Sequence, residues 1–343
     1  MNGAKRHPAR GIETVGSIPP QGSMRAIAQD RYGDGQVLHE AHLPIPVPRD
    51  NEVLVRVHAA GLDRGTWHVM TGTPLLMRLA FGLRGPRNPV PGLDLAGTVA
   101  AIGSAVTRFA VGDAVHGFGK GTFAEYAVAR EDRLAPKPSG LDFAQAAVLP
   151  VSGATALQAL RAGRIAAGQR VLVTGASGGV GSHAVQLAKA LGTEVTGVAG
   201  PTKQDLVLKL GADHAIDHTR EDFADGSRRY DLIIDIAGNP GLRRLRRALT
   251  PTGTAIIVGG EGTGKWLGMG RQFRAVAISP FIGQRLGMLA SAQRATDLEE
   301  LDTFIESGAV FPHLERTFDL AQVPEAMAYL VAGKARGKIA ITI

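Results

Sequence analysis

The chain has 343 residues, 44% hydrophobic and 20% charged, enough apolar material for two soluble domains. It contains no cysteine, which excludes a disulfide framework, a redox thiol and a cysteine-ligated zinc. The net charge of +7 fits an anionic cofactor as well as it fits nucleic acid. Only 5% of residues are aromatic, too few for a base-stacking platform, and no apolar run reaches the roughly 18–20 residues of a membrane span.

Residues 1–23 carry Lys5, Arg6 and Arg10 against Glu13, with Pro, Gly and polar residues and no apolar h-region. They predict a disordered extension rather than a secretory signal, and Met24 offers an alternative start. The expected location is the cytoplasm. Residues 24–130 are rich in short strands. Glu52–Ala60 (EVLVRVHAA) alternates apolar and polar, and Leu95–Ile102 and Asp113–Val115 follow between glycines. Prolines 44, 46 and 48 mark an extended connection, and Leu75–Val90, with Pro, Gly and three arginines, predicts a mobile loop. This part reads as all-β or barrel-like.

After about Leu149 strands alternate with helices. Helices are predicted over Ser152–Ala162, His183–Leu191 and Lys203–Lys209, and strands over Arg170–Thr174, Glu194–Ala199, Ala215–Asp217, Asp231–Asp235 and Ala255–Val258. Repeated βα units of this length imply a doubly wound parallel sheet. Arg243, Arg244, Arg246 and Arg247 read as the solvated face of one helix. The last part predicts helices over Asp297–Ser307 and Val323–Val331 and a strand over Lys338–Ile343, returning to the first domain.

The run Val171–Ser182 (VLVTGASGGVGS) places a glycine turn between a buried strand and a helix. Such a turn lets a diphosphate approach backbone N–H groups at a positive helix end. Gly175, Gly178, Gly179 and Gly181, with Ser177 and Val180, are the candidate seat. The spacing departs from G-x-G-x-x-G because Ala176 stands at one glycine position. The next strand ends without the Asp or Glu that would take a ribose 2′-hydroxyl; Pro201, Thr202 and Lys203 follow. Thr202 and Lys203 could hold a 2′-phosphate, which favours NADPH over NADH; alternatively Lys203 merely opens a solvated helix. Gly259–Trp266 (GGEGTGKW) nearly matches a nucleotide-triphosphate loop, but Trp266 replaces the hydroxyl such a site needs for Mg²⁺. Gly259 and Gly260 more plausibly let a cofactor cross the end of their strand.

Several motifs in order carry a family resemblance over nearly all of residues 24–343: Pro91–Gly97 (PGLDLAG), Val106–Phe109 with Gly112 and Asp113, Gly121–Tyr126 (GTFAEY), Gly175–Gly181, Leu210–His214 (LGADH) and Arg336–Lys338 (RGK). The chain resembles the medium-chain dehydrogenase/reductase superfamily, in its zinc-independent quinone oxidoreductase branch (zeta-crystallin and the reticulon-interacting-protein-like group). The resemblance implies an α/β protein with a GroES-like β-barrel catalytic domain (24–149), a Rossmann cofactor domain (150–288), a C-terminal return to the catalytic domain (289–343), a cleft between the domains, and a homodimer formed through the cofactor domain. It also implies that Thr155, Ala237, Gly238, Val258, Gly259, Gly260, Ser279 and Phe281 approach the cofactor. His218 stands where relatives often carry Tyr near the adenosine.

Zinc relatives use a Cys, a Gly-His-Glu motif and a second Cys. Here Asp63 stands at the first Cys, and Leu93-Asp94 stands at His-Glu. The resemblance therefore implies a site without zinc, which must polarise an acceptor by hydrogen bonds and suits quinones and α,β-unsaturated carbonyls. The family segment Asn-Pro-x-Asp-Trp becomes Asp63, Arg64, Gly65, Thr66, Trp67. Asp63, Thr66 and Trp67 are the candidate catalytic residues. Asp63 could instead be a structural loop carboxylate, and Trp67 a core residue. Neither His39 and His42 with Glu40 nor His214 and His218 with Asp213 and Asp217 makes H-E-x-x-H, and no metal site is expected. The expected function is NADPH-dependent reduction of a small quinone or enone, with no nucleic-acid or membrane partner. The alternatives are zinc-free alcohol oxidation and a weakly catalytic NADPH sensor.

Overall fold

The computed structural model describes residues 20–259 and 270–343. The chain opens with β1 (Ser23–Ala28) and β2 (His39–Pro44), an antiparallel pair, followed by β3 (Glu52–Leu62). Helices α1 (Arg64–Thr71) and α2 (Arg78–Phe81) lead into β4 (Asp94–Ile102), β5 (Ala114–Phe118), β6 (Tyr126–Arg130) and β7 (Leu134–Pro136). The α1 segment is short, and the residues it buries, Thr66 and Met70, lie one turn apart on one face. Its start is set by Asp63, whose carboxylate caps the helix by accepting from Thr66 N at 2.9 Å. Leu75–Val90, expected as a loop, contains a short 3-10 turn (Leu75–Met77) and α2.

Two helices, α3 (Phe143–Ala147) and α4 (Pro150–Ala162), precede the parallel sheet. It runs β8 (Arg170–Thr174), α5 (Gly179–Ala190), β9 (Glu194–Ala199), α6 (Gln204–Lys209), β10 (His214–Asp217), β11 (Tyr230–Asp235), α7 (Leu242–Ala248) and β12 (Leu249–Ile257). After residue 269 come α8 (Gly270–Ile278) and β13 (Arg285–Met288). The strands lie in the order β10-β9-β8-β11-β12-β13, all parallel. The order reverses between β8 and β11, and that switch point opens a crevice at the carboxyl ends of the strands.

Alternation explains how this sheet is covered on both faces. Val171 and Val173 of β8, with Ile234 of β11, face a core that includes Leu157 and Leu160 of α4 and Leu187 of α5. Leu172 and Ile233 point the other way, onto Leu245 of α7 and Ile257. Each such side chain contributes about 1.5–3 kcal/mol when fully buried.

The chain ends with α9 (Ala295–Glu306), β14 (Leu314–Asp319), α10 (Val323–Val331) and β15 (Lys338–Thr342). The return expected from sequence takes a specific form. β15 pairs antiparallel with β3 and parallel with β14, completing a seven-stranded sheet with β4, β5, β6 and β7. The sequence did not mark β13 or β14. No helix among the described residues is long and apolar enough to cross a membrane.

Candidate functional site

The glycine turn follows directly from β8. Gly175 has φ +68°, a left-handed conformation that L side chains rarely adopt, and its carbonyl accepts from Gly178 N at 3.0 Å. A side chain on Gly181 would run into the Gly175 carbonyl, and one on Gly175 would lie 2.8 Å from Ala237 Cβ. Gly178 caps α5 without a side chain, so the N–H groups of the first turn, from Gly179, Val180 and Gly181, have no intrahelical partner. A close turn with open N–H groups at a helix start fits a diphosphate.

Buried polar contacts fix the opposite lip of the crevice. Thr174 Oγ1 donates to Asp235 Oδ1 at 2.9 Å and accepts from Ile236 N (2.9 Å) and Ala237 N (3.2 Å). Asp235 is fully buried; burial raises its pKa, and the ion pair to Arg271 opposes the rise. Arg271 also donates to the carbonyls of Pro240 and Gly259, each at 3.1 Å. An acidic residue ending an apolar strand is the single local sign of this Asp235–Arg271 pair.

Between the lips lies a cavity of about 390 Å³. Its walls include Gly175 and Ser177 of the turn, Gly200 and Lys203 after β9, His218 after β10, and Ala237 and Gly238 after β11. Six sequence candidates therefore converge here, together with Gly200, to which the sequence assigned no role. Phe223, Arg244 and Gly333 also line the cavity and were not anticipated. Arg244 belongs to the arginine cluster expected as a solvated face. Its guanidinium lies 4.4 Å over the Phe223 ring, and Nε donates to Asp222 at 2.8 Å. Lys203 Nζ donates to the carbonyls of Gly333 (2.8 Å) and Ala335 (2.7 Å). Desolvation lowers its pKa, and Glu315 opposes that shift.

Other candidates lie outside these walls. Thr202 is exposed in the 3-10 turn Pro201–Lys203. Thr155 is buried on α4, with Oγ1 3.3 Å from Ser291 Oγ. Val258 N and Gly259 N donate to the Asp235 carbonyl at 2.9 and 3.2 Å, and a side chain on Gly259 would strike the Ile236 carbonyl. Ser279 Oγ accepts from Leu286 N at 3.0 Å, closing its own turn, and Phe281 is 86% exposed. Gly260 and most of the Gly259–Trp266 run lie outside the described residues.

At the catalytic candidates, Asp63 is 7% exposed and Thr66 is fully buried, its Oγ1 3.4 Å from Asp63 Oδ2. Trp67 packs against the core of the first sheet, with the Arg64 guanidinium 5.6 Å over its ring. Below this corner sit three groups to which the sequence analysis assigned no role in the site. Asp94 is fully buried. Oδ1 accepts from Val151 N at 3.0 Å, and Oδ2 has no hydrogen-bond partner. Burial and then the Asp63 carboxylate push its pKa well up, against the nearby Lys338 ammonium. Lys338 is 2% exposed, with Nζ 4.0 Å from Asp94 Oδ2. His183 is fully buried on α5; Nδ1 donates to the Gly179 carbonyl at 2.8 Å, Nε2 is unpartnered, and burial pulls its pKa down to about 4. Among the described residues no group of three or more His, Cys, Asp or Glu could hold a metal ion.

Comparison with known proteins gives the same organisation. The family model described as an alcohol dehydrogenase GroES-like domain matches residues 49–139, and the one described as a zinc-binding dehydrogenase matches residues 210–341. Human quinone oxidoreductase is 31% identical over 93% of this chain and 98% of its own length. An NADPH-dependent alkenal/one oxidoreductase of Arabidopsis thaliana is 32% identical over 95% of this chain and 80% of that protein. The quinone oxidoreductase structure from Coxiella burnetii superposes with a TM-score of 0.83 at 29% identity, over 94% of this chain and all of that one. With a GroES-like sheet, a Rossmann-type sheet for NAD(P) and these relatives, the chain belongs to the quinone oxidoreductase branch of the medium-chain dehydrogenase/reductase superfamily.

Proposed function

We propose that this protein is an NADPH-dependent, zinc-independent reductase of quinones or α,β-unsaturated carbonyls. The observation that carries the cofactor assignment is the lining of the 390 Å³ cavity, which includes Lys203, Arg244 and His218 and, among the described residues, no carboxylate. A ribose 2′-hydroxyl is normally held by an Asp or Glu at the end of the second strand. Here that strand ends at Ala199, and a cation three residues beyond Gly200 suits a 2′-phosphate. Quinone and alkenal/one reductases among the relatives support reduction over alcohol oxidation or cofactor sensing.

A bound reduced nicotinamide supplies the hydride. The chain's part is positional. The open N–H groups of α5 take the diphosphate, and Ala237 and Gly238 form the wall beside it; the family resemblance assigns the acceptor side to the Asp63–Trp67 corner. Water can protonate the hydroquinone or enolate anion, so the proposal asks no side chain to donate a proton. We also propose domain limits of 24–149, 150–288 and 289–343, and a homodimer formed through the cofactor domain, where β13 ends the sheet.

The test follows nicotinamide absorbance with NADPH and NADH against a small quinone panel and an enone. Faster oxidation of NADPH is expected. Lys203→Met should lower kcat/KM for NADPH by about tenfold or more and leave NADH little changed. Equal losses with both cofactors would remove Lys203 as the phosphate reader, and no turnover with any acceptor would remove the reductase assignment.

A further inference from the structure

Lysine is among the residues least often fully buried, yet Lys338 at the start of β15 is 2% exposed. Its Nζ donates to the carbonyl of Leu62 at 3.2 Å and lies 4.0 Å from Asp94 Oδ2. Leu62 ends β3, and the next residue is Asp63, the cap of α1. The stem of the same side chain packs over the first residue of α5. A side chain on Gly179, the first residue of α5, would lie 2.8 Å from Lys338 Cδ and 2.9 Å from Ser152 Oγ. Gly61 leaves room for Asp94; a Cβ there would come within 2.8 Å of Oδ2 and 2.5 Å of the Ala147 carbonyl. One cation thus touches both ends of the proposed reaction site, in a place where its charge is costly unless it is used.

We infer that Lys338 is a positioning residue: from the last strand it holds the Leu62–Asp63 corner against the start of α5, so that the diphosphate seat and the acceptor side of the cleft keep one fixed spacing. Asp94 flanks the ammonium from the β4 side, its Oδ2 4.0 Å away and without a hydrogen-bond partner. The inference rests on the reading that the glycine turn seats a nicotinamide dinucleotide. Because small misplacements of reacting groups slow transfer steeply, the effect should fall on kcat as well as on cofactor affinity.

The test uses the full-length protein with Lys338→Met, which keeps the stem and removes the ammonium, and with Lys338→Met combined with Asp94→Asn. The single variant leaves Asp94 buried beside no cation, so it should melt several degrees lower; the added Asn removes that penalty and should restore most of the Tm. Kinetics should part from stability. Both variants should bind NADPH about tenfold more weakly by nicotinamide fluorescence, and turn over about tenfold more slowly. Amide exchange across residues 61–68 should be faster in both. If binding, turnover and exchange recover together with Tm in the double variant, Lys338 only neutralises Asp94 and the inference is wrong. Wild-type behaviour of Lys338→Met overturns it too. Should the wild type reduce no quinone or enone, the proposed substrate class fails, while cofactor fluorescence and exchange still decide the role of Lys338.

Discussion

At the glycine turn the protein makes its site from backbone. The close turn leaves the N–H groups of Gly179, Val180 and Gly181 without intrahelical partners, and the positive end of α5 supplies the field. At the Asp63–Asp94 corner it does the opposite. Carboxylates, an ammonium and an imidazole are buried within a few residues of the cleft, each held by one or two hydrogen bonds. A backbone site tolerates no added atom but carries no titrating group. A site of buried charge tolerates small changes of shape but responds to protons and to the loss of a partner.

Substitutions at three positions probe that contrast. The largest effect is expected at Gly181, where any side chain meets the Gly175 carbonyl. Gly181→Val should reduce NADPH affinity by about a hundredfold or more, read by fluorescence titration beside a melting curve. Unchanged binding would show that the turn need not be this close.

Next is His183. Its pKa in the folded protein is about 4 against 6.5 for a free histidine, so the folded state favours the neutral ring. That stability is present above pH 6.5 and is lost as pH falls toward 4, on the order of 3 kcal/mol in all. His183→Gln, which can still donate to the Gly179 carbonyl, should flatten this part of the profile. Denaturant melts of both proteins at pH 7.5, 5.5 and 4.5 compare them. Parallel profiles would mean that other groups set the acid limit.

The smallest effect is at Asp63. Asp63→Ala should cost about 1 kcal/mol by uncapping α1, and Asp63→Asn close to nothing, because Asn caps as well as Asp. With stability matched, kcat/KM of the Asn variant isolates what the negative charge does for the reaction. An equal loss of stability in both variants would show that the charge, not the cap, holds the helix start.

The same contrast explains what the sequence disclosed. The glycine turn was legible because each part has a local sign: an apolar strand, three small residues, then a helix. The parallel sheet was legible for the same reason, its βα units being continuous in the chain. The corner was not. Asp94 and Lys338 are 244 positions apart and meet only because β15 inserts beside β3. A lone lysine in a terminal strand gives no sign that it is buried. Arg244 was misjudged similarly. Four arginines in five positions suggest a wet surface, and only the fold shows one of them turned over Phe223 into the cavity wall. The α1 helix escaped notice because its cap, rather than its periodicity, defines it. For Asp63 the sequence left a catalytic and a structural role open. The cap hydrogen bond gives it a definite structural role, and only kinetics can add the other.

The pairing of β15 with β3 also sets an order of assembly. Ile339 lies opposite Leu62 and Thr342 opposite Ala59, so residues near the end of this chain complete a sheet begun near its start. The parallel sheet depends on no such late arrival, since its strands all lie between residues 170 and 288. During synthesis the parallel sheet can therefore fold while the seven-stranded sheet waits with an open strand, a long-range closure of the kind that slows folding and leaves an edge exposed to aggregation. Chaperone demand should then be concentrated on the N-terminal half of the chain, although that half is made first.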